Sequence, residues 1–273
     1  MIKWSLSNLP IAAACLMGGS LLFAAEQGIT FRPGRNALIL RGQTQYIFYY
    51  PASATSGLHP ALLFAPGDGG WRGMAITMAE RMAGWGYALY GLDTRQYLES
   101  FTGRSGLKES DVAGDMRRIA EWVSTGKGET VGLVGWSEGA GLMLLAAASQ
   151  GNERKFSGLV TMGLPDVNAL GWSWLDGLTD VIRHTPREPT FSALAYMDRV
   201  SPLPLAMIQS SKDEYVPLAE ARSLFDRARE PKRFFLIDAL NHHFDGNREI
   251  FFSKLREALR WINGLQRQAR SDH

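Results

Sequence analysis

A chain of 273 residues with 45% apolar content can bury one sizeable core, so a single domain is expected. Twenty-nine Lys and Arg against 27 Asp and Glu leave a net charge of +2, with no basic run long enough to follow a phosphate backbone. Nucleic acid is therefore not an expected partner, and the scattered carboxylates and five histidines lack metal-ligand spacing, so neither a metal nor another cofactor is expected.

The chain begins MIKWSLSNLPIAAACLMGGSLLFAAEQG. One early lysine, an uncharged apolar stretch from Leu9 to Ala25 and small residues before Glu26 form the layout of a secretory signal peptide, residues 1–25, cut near Ala24 or Ala25. The apolar run is short for a span, which needs about 20 such residues. A periplasmic or secreted placement follows. Cleavage there would remove Cys15, the single cysteine, so disulfide and thiol chemistry are not expected in a mature domain of residues 26–273.

From residue 36 onward short apolar runs alternate with amphipathic ones. NALILRG and QTQYIFYYP read as two leading strands, and HPALLFAP as a third that ends at the Gly67 to Gly70 cluster. MAITMAERMAGWG reads as a helix stopped by Gly84 and Gly86, YALYGLD as a strand, and SDVAGDMRRIAEWVSTG as a helix capped by Ser110. Then come TVGLVGW (strand), GAGLMLLAAASQ (helix), FSGLVTMGLP and LPLAMIQSS (strands), LAEARSLFDRARE (helix), KRFFLIDA (strand) and REIFFSKLREALRWING (helix). Strands apolar on both faces and alternating with helices predict an α/β fold, a mostly parallel sheet with helices on both sides. Residues 165 to about 201 break the alternation and read as a lid-like insertion before the strand that leads to Asp213.

The chemistry is concentrated at GWSEG, where Ser137 stands between a strand and a helix with Gly135 and Gly139 two residues to either side. A serine hydroxyl attacks a carbonyl only if it stands clear of the backbone and a base takes its proton. A tight turn with flanking glycines meets the first requirement and aims the N–H of Glu138 at the developing oxyanion. The base is expected in DALNHHFDGN, after the last strand, because ligands in such sheets bind beyond the carboxyl ends of the strands. His242 is chosen, with Phe244 packing beneath the loop and Ala239 and Asn241 suiting a tight turn; His243 is the alternative. The orienting acid is expected at Asp213 in SSKDEYVP, with Glu214 pointing elsewhere and Asp166 in reserve. The chain order Ser137, Asp213, His242 is the order of the α/β-hydrolase triad. A second oxyanion donor is expected from APGDGGWR, at Asp68 or its neighbour Gly69.

Together, GDGGW, GWSEG, KDEYVP and NHHFDGN resemble the α/β-hydrolase superfamily across residues 36 to 264. The GDGGWR loop and the HHFDGN ending are similar to the AcvB/VirJ group of exported bacterial virulence-associated proteins, which includes periplasmic hydrolases of aminoacylated phosphatidylglycerol. That resemblance implies Ser137 as nucleophile, His242 as base, Asp213 as acid, and Asp68 and Glu138 as oxyanion donors. The chain departs from the group at the elbow, where Trp136 stands in place of a Tyr and Gly141 in place of an Asp.

The expected activity is an exported serine hydrolase acting on a small-molecule or lipid carboxylic ester, an aminoacyl-phospholipid among them. The competing expectation is a weakly catalytic or non-catalytic periplasmic binding or assembly factor on the same scaffold. Trp172 and Trp174 are expected to line an acyl site, to touch a membrane surface, or to form the core of the insertion.

Overall fold

The computed structural model describes residues 30–53, 59–103, 106–124, 129–151, 154–172 and 188–271. The expected leader, together with Trp174, His184 and His273, lies outside the described residues.

Eight strands form one sheet. Two leading strands, β1 (Gly34–Leu40) and β2 (Gln43–Tyr50), pair antiparallel, as the sequence pattern suggested for a hairpin around Gly42. They are followed in chain order by β3 (Leu62–Ala65), β4 (Leu89–Leu92), β5 (Val131–Trp136) and β6 (Phe156–Met162). A separate short hairpin, β7 (Val167–Ala169) with β8 (Thr190–Ser192), precedes β9 (Leu205–Ser210) and β10 (Lys232–Ile237). The spatial order of the large sheet is β1-β2-β4-β3-β5-β6-β9-β10, antiparallel as far as β4 and parallel from there on. Every residue of β3, β4, β5, β6 and β9 is buried, which is why these strands read as apolar runs without alternation.

Six α-helices are described: α1 (Met74–Gly84), α2 (Thr94–Ser100), α3 (Glu109–Val123), α4 (Glu138–Ala147), α5 (Leu218–Arg227) and α6 (Arg248–Ser271). Two apolar clusters form the core. One joins the sheet to residues of α2, α3 and α4, and the other joins it to residues of α1 and α6. In α4 every residue from Gly139 to Ala147 is buried, so it carries no polar stripe and is held between the sheet and its neighbours.

Three features differ from the sequence reading. The cap of α3 is not Ser110: the helix starts at Glu109 and the capping position is Lys108, whose backbone N–H donates to the Asp111 carboxylate at 3.0 Å. An acid at the third helical position satisfies the entry as well as a serine hydroxyl would. Helix α2 was not foreseen; Asp93 caps it by accepting from the Gln96 N–H at 3.2 Å. The hairpin β7–β8 opens the expected insertion and docks on α4 through Asn168, which is buried and donates to the carbonyls of Pro165 and Asp166. A Cβ at Gly141 would overlap Asn168 Oδ1, so the glycine that departs from the group's pattern is the residue that lets the hairpin seat.

Candidate active site

The site lies at the carboxyl ends of β3, β5, β9 and β10, where a sheet of this topology gathers its loops. Ser137 follows β5 and caps α4 with φ 54° and ψ −128°, a conformation that costs a residue with a Cβ and holds its side chain clear of the strand. Its N–H donates to the Met162 carbonyl at the end of β6, and its carbonyl accepts from the Ala140 N–H, at 3.0 and 2.8 Å. Both flanking glycines are sterically required. A Cβ on Gly135 would lie 2.6 Å from the Gly139 carbonyl oxygen, and one on Gly139 would overlap the carbonyl oxygens of Ala65 and Pro66.

His242 and Asp213 meet from adjacent loops. His242 Nδ1 is 2.8 Å from Asp213 Oδ2, and both side chains are almost wholly buried. Asp213 Oδ1 accepts from the N–H groups of Tyr215 and Val216, while Oδ2 also accepts from the Gln209 amide. Burial alone would push the Asp213 carboxyl up, but the hydrogen bond and charge of His242 with these two backbone N–H groups outweigh it and hold the carboxyl below its ordinary range. The carboxylate thus favours His242 with its proton on Nδ1, leaving Nε2 to accept.

Phe244, at φ 59°, is fully buried and stacks on Phe251 beneath the loop, and Asn241 accepts from the N–H groups of His243 and Asp245. This turn points His242 inward and leaves His243 exposed. Trp136 lies parallel to the His242 ring at 5.7 Å and edge-on to His243 at 5.1 Å. Glu214 does not point elsewhere. Its carboxylate accepts the backbone N–H of His242 at 2.8 Å, tying the His242 loop to the Asp213 loop. The reserve acid Asp166 is engaged away from the imidazole, with Ser192 Oγ and the Leu194 N–H on its carboxylate.

Gly163 is a site residue that the sequence reading missed. It follows β6 with φ 54°, and a Cβ there would overlap His242 Cε1 and come within 2.8 Å of Nδ1. Gly163→Ala should therefore displace the imidazole and lower kcat/KM by about 100-fold, the scale of a 1 Å misplacement. Thermal unfolding measured alongside should move far less than the rate.

The GDGGW loop follows β3. Trp71 stacks on Phe48 at 4.8 Å and 3°, and a Cβ on Gly91 would overlap its ring, so a glycine on β4 gives the indole its seat. Anchored there, the loop brings Gly67, Asp68 and Gly69 into a cavity of about 630 Å³ that Ser137, Glu138, His242, Tyr215 and Arg72 also line. Trp172 is not among the described residues lining it. The Arg95 guanidinium lies 3.8 Å over its ring and its backbone bonds Thr102, so Trp172 packs the start of the insertion against α2 and the residues after it.

Within this cavity the hydroxyl of Ser137 donates to Glu138 Oε2 at 2.8 Å, and His242 Nε2 has no hydrogen-bond partner among the described residues. Burial pushes the Glu138 carboxyl up, and the negative charge of Asp68 pushes the same way. The Ser137 hydroxyl, the residue's own N–H and the nearby His242 oppose both.

A serine at a strand-to-helix elbow, followed along the chain by an acid and a base on later strand ends of one mostly parallel sheet, is the architecture of the α/β hydrolases, and this chain has that fold. The family of the bacterial virulence protein VirJ matches residues 60–167, which hold the GDGGW loop and the elbow, so this part of the chain is similar to VirJ. Asp213 and His242 lie beyond the matched segment. An uncharacterized protein of Mycobacterium tuberculosis is 25% identical over 202 residues, covering 72% of this chain and 67% of that protein. Among solved structures, Est1E from Butyrivibrio proteoclasticus superposes with a TM-score of 0.61 at 12% identity, over 84% of this chain and 98% of that one. A serine hydrolase without a lid from Xanthomonas campestris gives 0.56 at 17% identity, over 84% and 95%. At these identities the structural likeness establishes the fold.

Proposed function

We propose that the protein is an exported serine hydrolase that cleaves a carboxylic ester through an acyl-enzyme. The observation that carries this reading is the buried His242–Asp213 pair at 2.8 Å, with the second imidazole nitrogen unpartnered in the cavity that the strained Ser137 also lines.

The Ser137 hydroxyl turns to His242 Nε2, and as Oγ attacks the acyl carbon its proton passes to the imidazole. The carbonyl oxygen becomes an oxyanion received by the N–H groups of Glu138 and Asp68. Collapse expels the alcohol, which takes the proton from His242. Water then repeats the sequence on the acyl-serine and frees the acid. Asp213 stays ionised throughout, keeping the ring in one tautomer and stabilising its positive form.

Support for an aminoacyl-phospholipid comes from two exposed residues that line the cavity, Asp68 with a carboxylate for an ammonium and Arg72 with a guanidinium for a phosphate. Export rests on the sequence of residues 1–25, and a membrane-surface contact on the lipid character of that substrate.

Purified protein treated with a fluorophosphonate probe should gain one adduct by intact mass, located by peptide mapping at Ser137. A panel of simple acyl and aminoacyl esters then ranks substrates. Folded protein that takes no adduct would instead favour a binding factor on a hydrolase scaffold. One observation speaks for that second reading, since Ser137 is bonded to Glu138 and not to His242.

A further inference from the structure

The residue after the nucleophile does more than supply an N–H. A hydroxyl has one proton to donate, and that of Ser137 goes to the Glu138 carboxylate, leaving His242 Nε2 without a partner although its ring is already oriented by Asp213. The same carboxylate belongs to the residue whose N–H is one of the two donors proposed for the oxyanion. An ionised Glu138 therefore opposes the reaction twice, by holding the proton away from the base and by placing a negative charge where another must develop.

We infer that Glu138 is a proton-operated catch on the nucleophile: as a carboxylate it retains the Ser137 hydroxyl, and as a neutral carboxyl it releases that hydroxyl to His242. This rests on the serine-hydrolase reading and adds a regulating residue to it. The charged and titratable groups around the catch come from three loops. Asp68 and Arg72 stand on the loop after β3, Tyr215 on the loop after β9, and His242 and His243 on the loop after β10. Burial and Asp68 raise the acid's affinity for a proton above that of an ordinary carboxylate.

The sign follows from the two protons involved. Turnover needs His242 neutral, which favours higher pH, and Glu138 neutral, which favours lower pH. Their product is a bell.

The test is the second-order rate of fluorophosphonate labelling from acid to mildly alkaline pH, for wild type, Glu138→Gln and Asp68→Asn. Wild-type rates should fall about tenfold per pH unit once the pH has passed both midpoints. Glu138→Gln should lose this falling limb, because a neutral amide accepts the hydroxyl more weakly and does not titrate. Asp68→Asn keeps the catch and its backbone N–H but removes the charge that helps protonate Glu138, so on the falling limb it should label more slowly than wild type at the same pH. Asp68→Asn decides the matter even if the Gln variant folds poorly. A wild type that labels without a falling limb, or a limb unchanged in both variants, overturns the catch while leaving Ser137 as nucleophile. No labelling of any of the three at any pH overturns the serine-hydrolase reading and the catch together.

Discussion

Ser137→Ala should reduce kcat/KM toward ester substrates by at least about 10⁴-fold and abolish the fluorophosphonate adduct, with little change in thermal stability. The asymmetry between rate and stability follows from the site. The hydroxyl's single hydrogen bond is to a part-buried neighbouring carboxylate, so its removal leaves few buried groups unsatisfied. The backbone conformation, at φ 54°, is one that Ser and Ala tolerate about equally badly, and it is imposed by the Met162 and Ala140 hydrogen bonds, which the variant keeps. The residual rate over water would come from the oxyanion donors alone. Retention of ester hydrolysis within a few-fold of wild type in clean Ser137→Ala protein would remove the acyl-enzyme mechanism.

Asp213→Asn should cost about 10⁴-fold in kcat, and here stability should fall as well. Oδ1 accepts two backbone N–H groups, so an asparagine that keeps them must turn its NH₂ toward the position of Oδ2. There it faces His242 Nδ1 and the Gln209 amide, itself a donor. The imidazole is driven to carry its proton on Nε2, where it cannot accept from Ser137, and a buried donor is left unsatisfied, at a cost of about 1–3 kcal/mol. The pH dependence supplies a second readout. Asp213 has a lowered folded-state affinity for protons, so its contribution to stability is present above the ordinary carboxylate value of about 3.9 and is lost as pH falls through the lower folded value. Asp213→Asn should lack this component, so its melting temperature should drop less than that of wild type between neutral pH and about pH 3. An equal acid-induced loss in the two proteins would show that Asp213 carries no such linkage.

The sheet, its parallel centre and the elbow were legible from local sequence, for reasons that local physics supplies. Strands buried on both faces must be apolar throughout, and helices between them must follow a period of 3.6, so β3, β4, β5, β6, β9 and most helices declare themselves in short windows. Ser137 announced itself because its turn demands Gly135 and Gly139, and no other residue fits against the Ala65 and Pro66 carbonyls. His242 and Asp213 could be chosen because strand ends, once counted, fix which loops meet.

What local sequence did not show depends on contacts between residues far apart in the chain. Gly163 matters only because His242, in a loop from the far end of the chain, lies against it. Gly141 matters only because Asn168 is seated there. Glu214 read as pointing elsewhere until the fold placed the His242 N–H beside it, and Trp71 became the anchor of its loop by stacking on Phe48 and fitting over Gly91. The seven-residue helix α2 and the three-residue strands of β7–β8 are too short for periodicity to register, and they exist because tertiary packing holds them. The one-dimensional pattern therefore determined the class of fold and which side chains to propose for the reaction. The state in which those side chains wait was decided by the tertiary structure, because a hydrogen bond from Ser137 to Glu138 instead of His242 depends on distances that spacing along a chain does not encode.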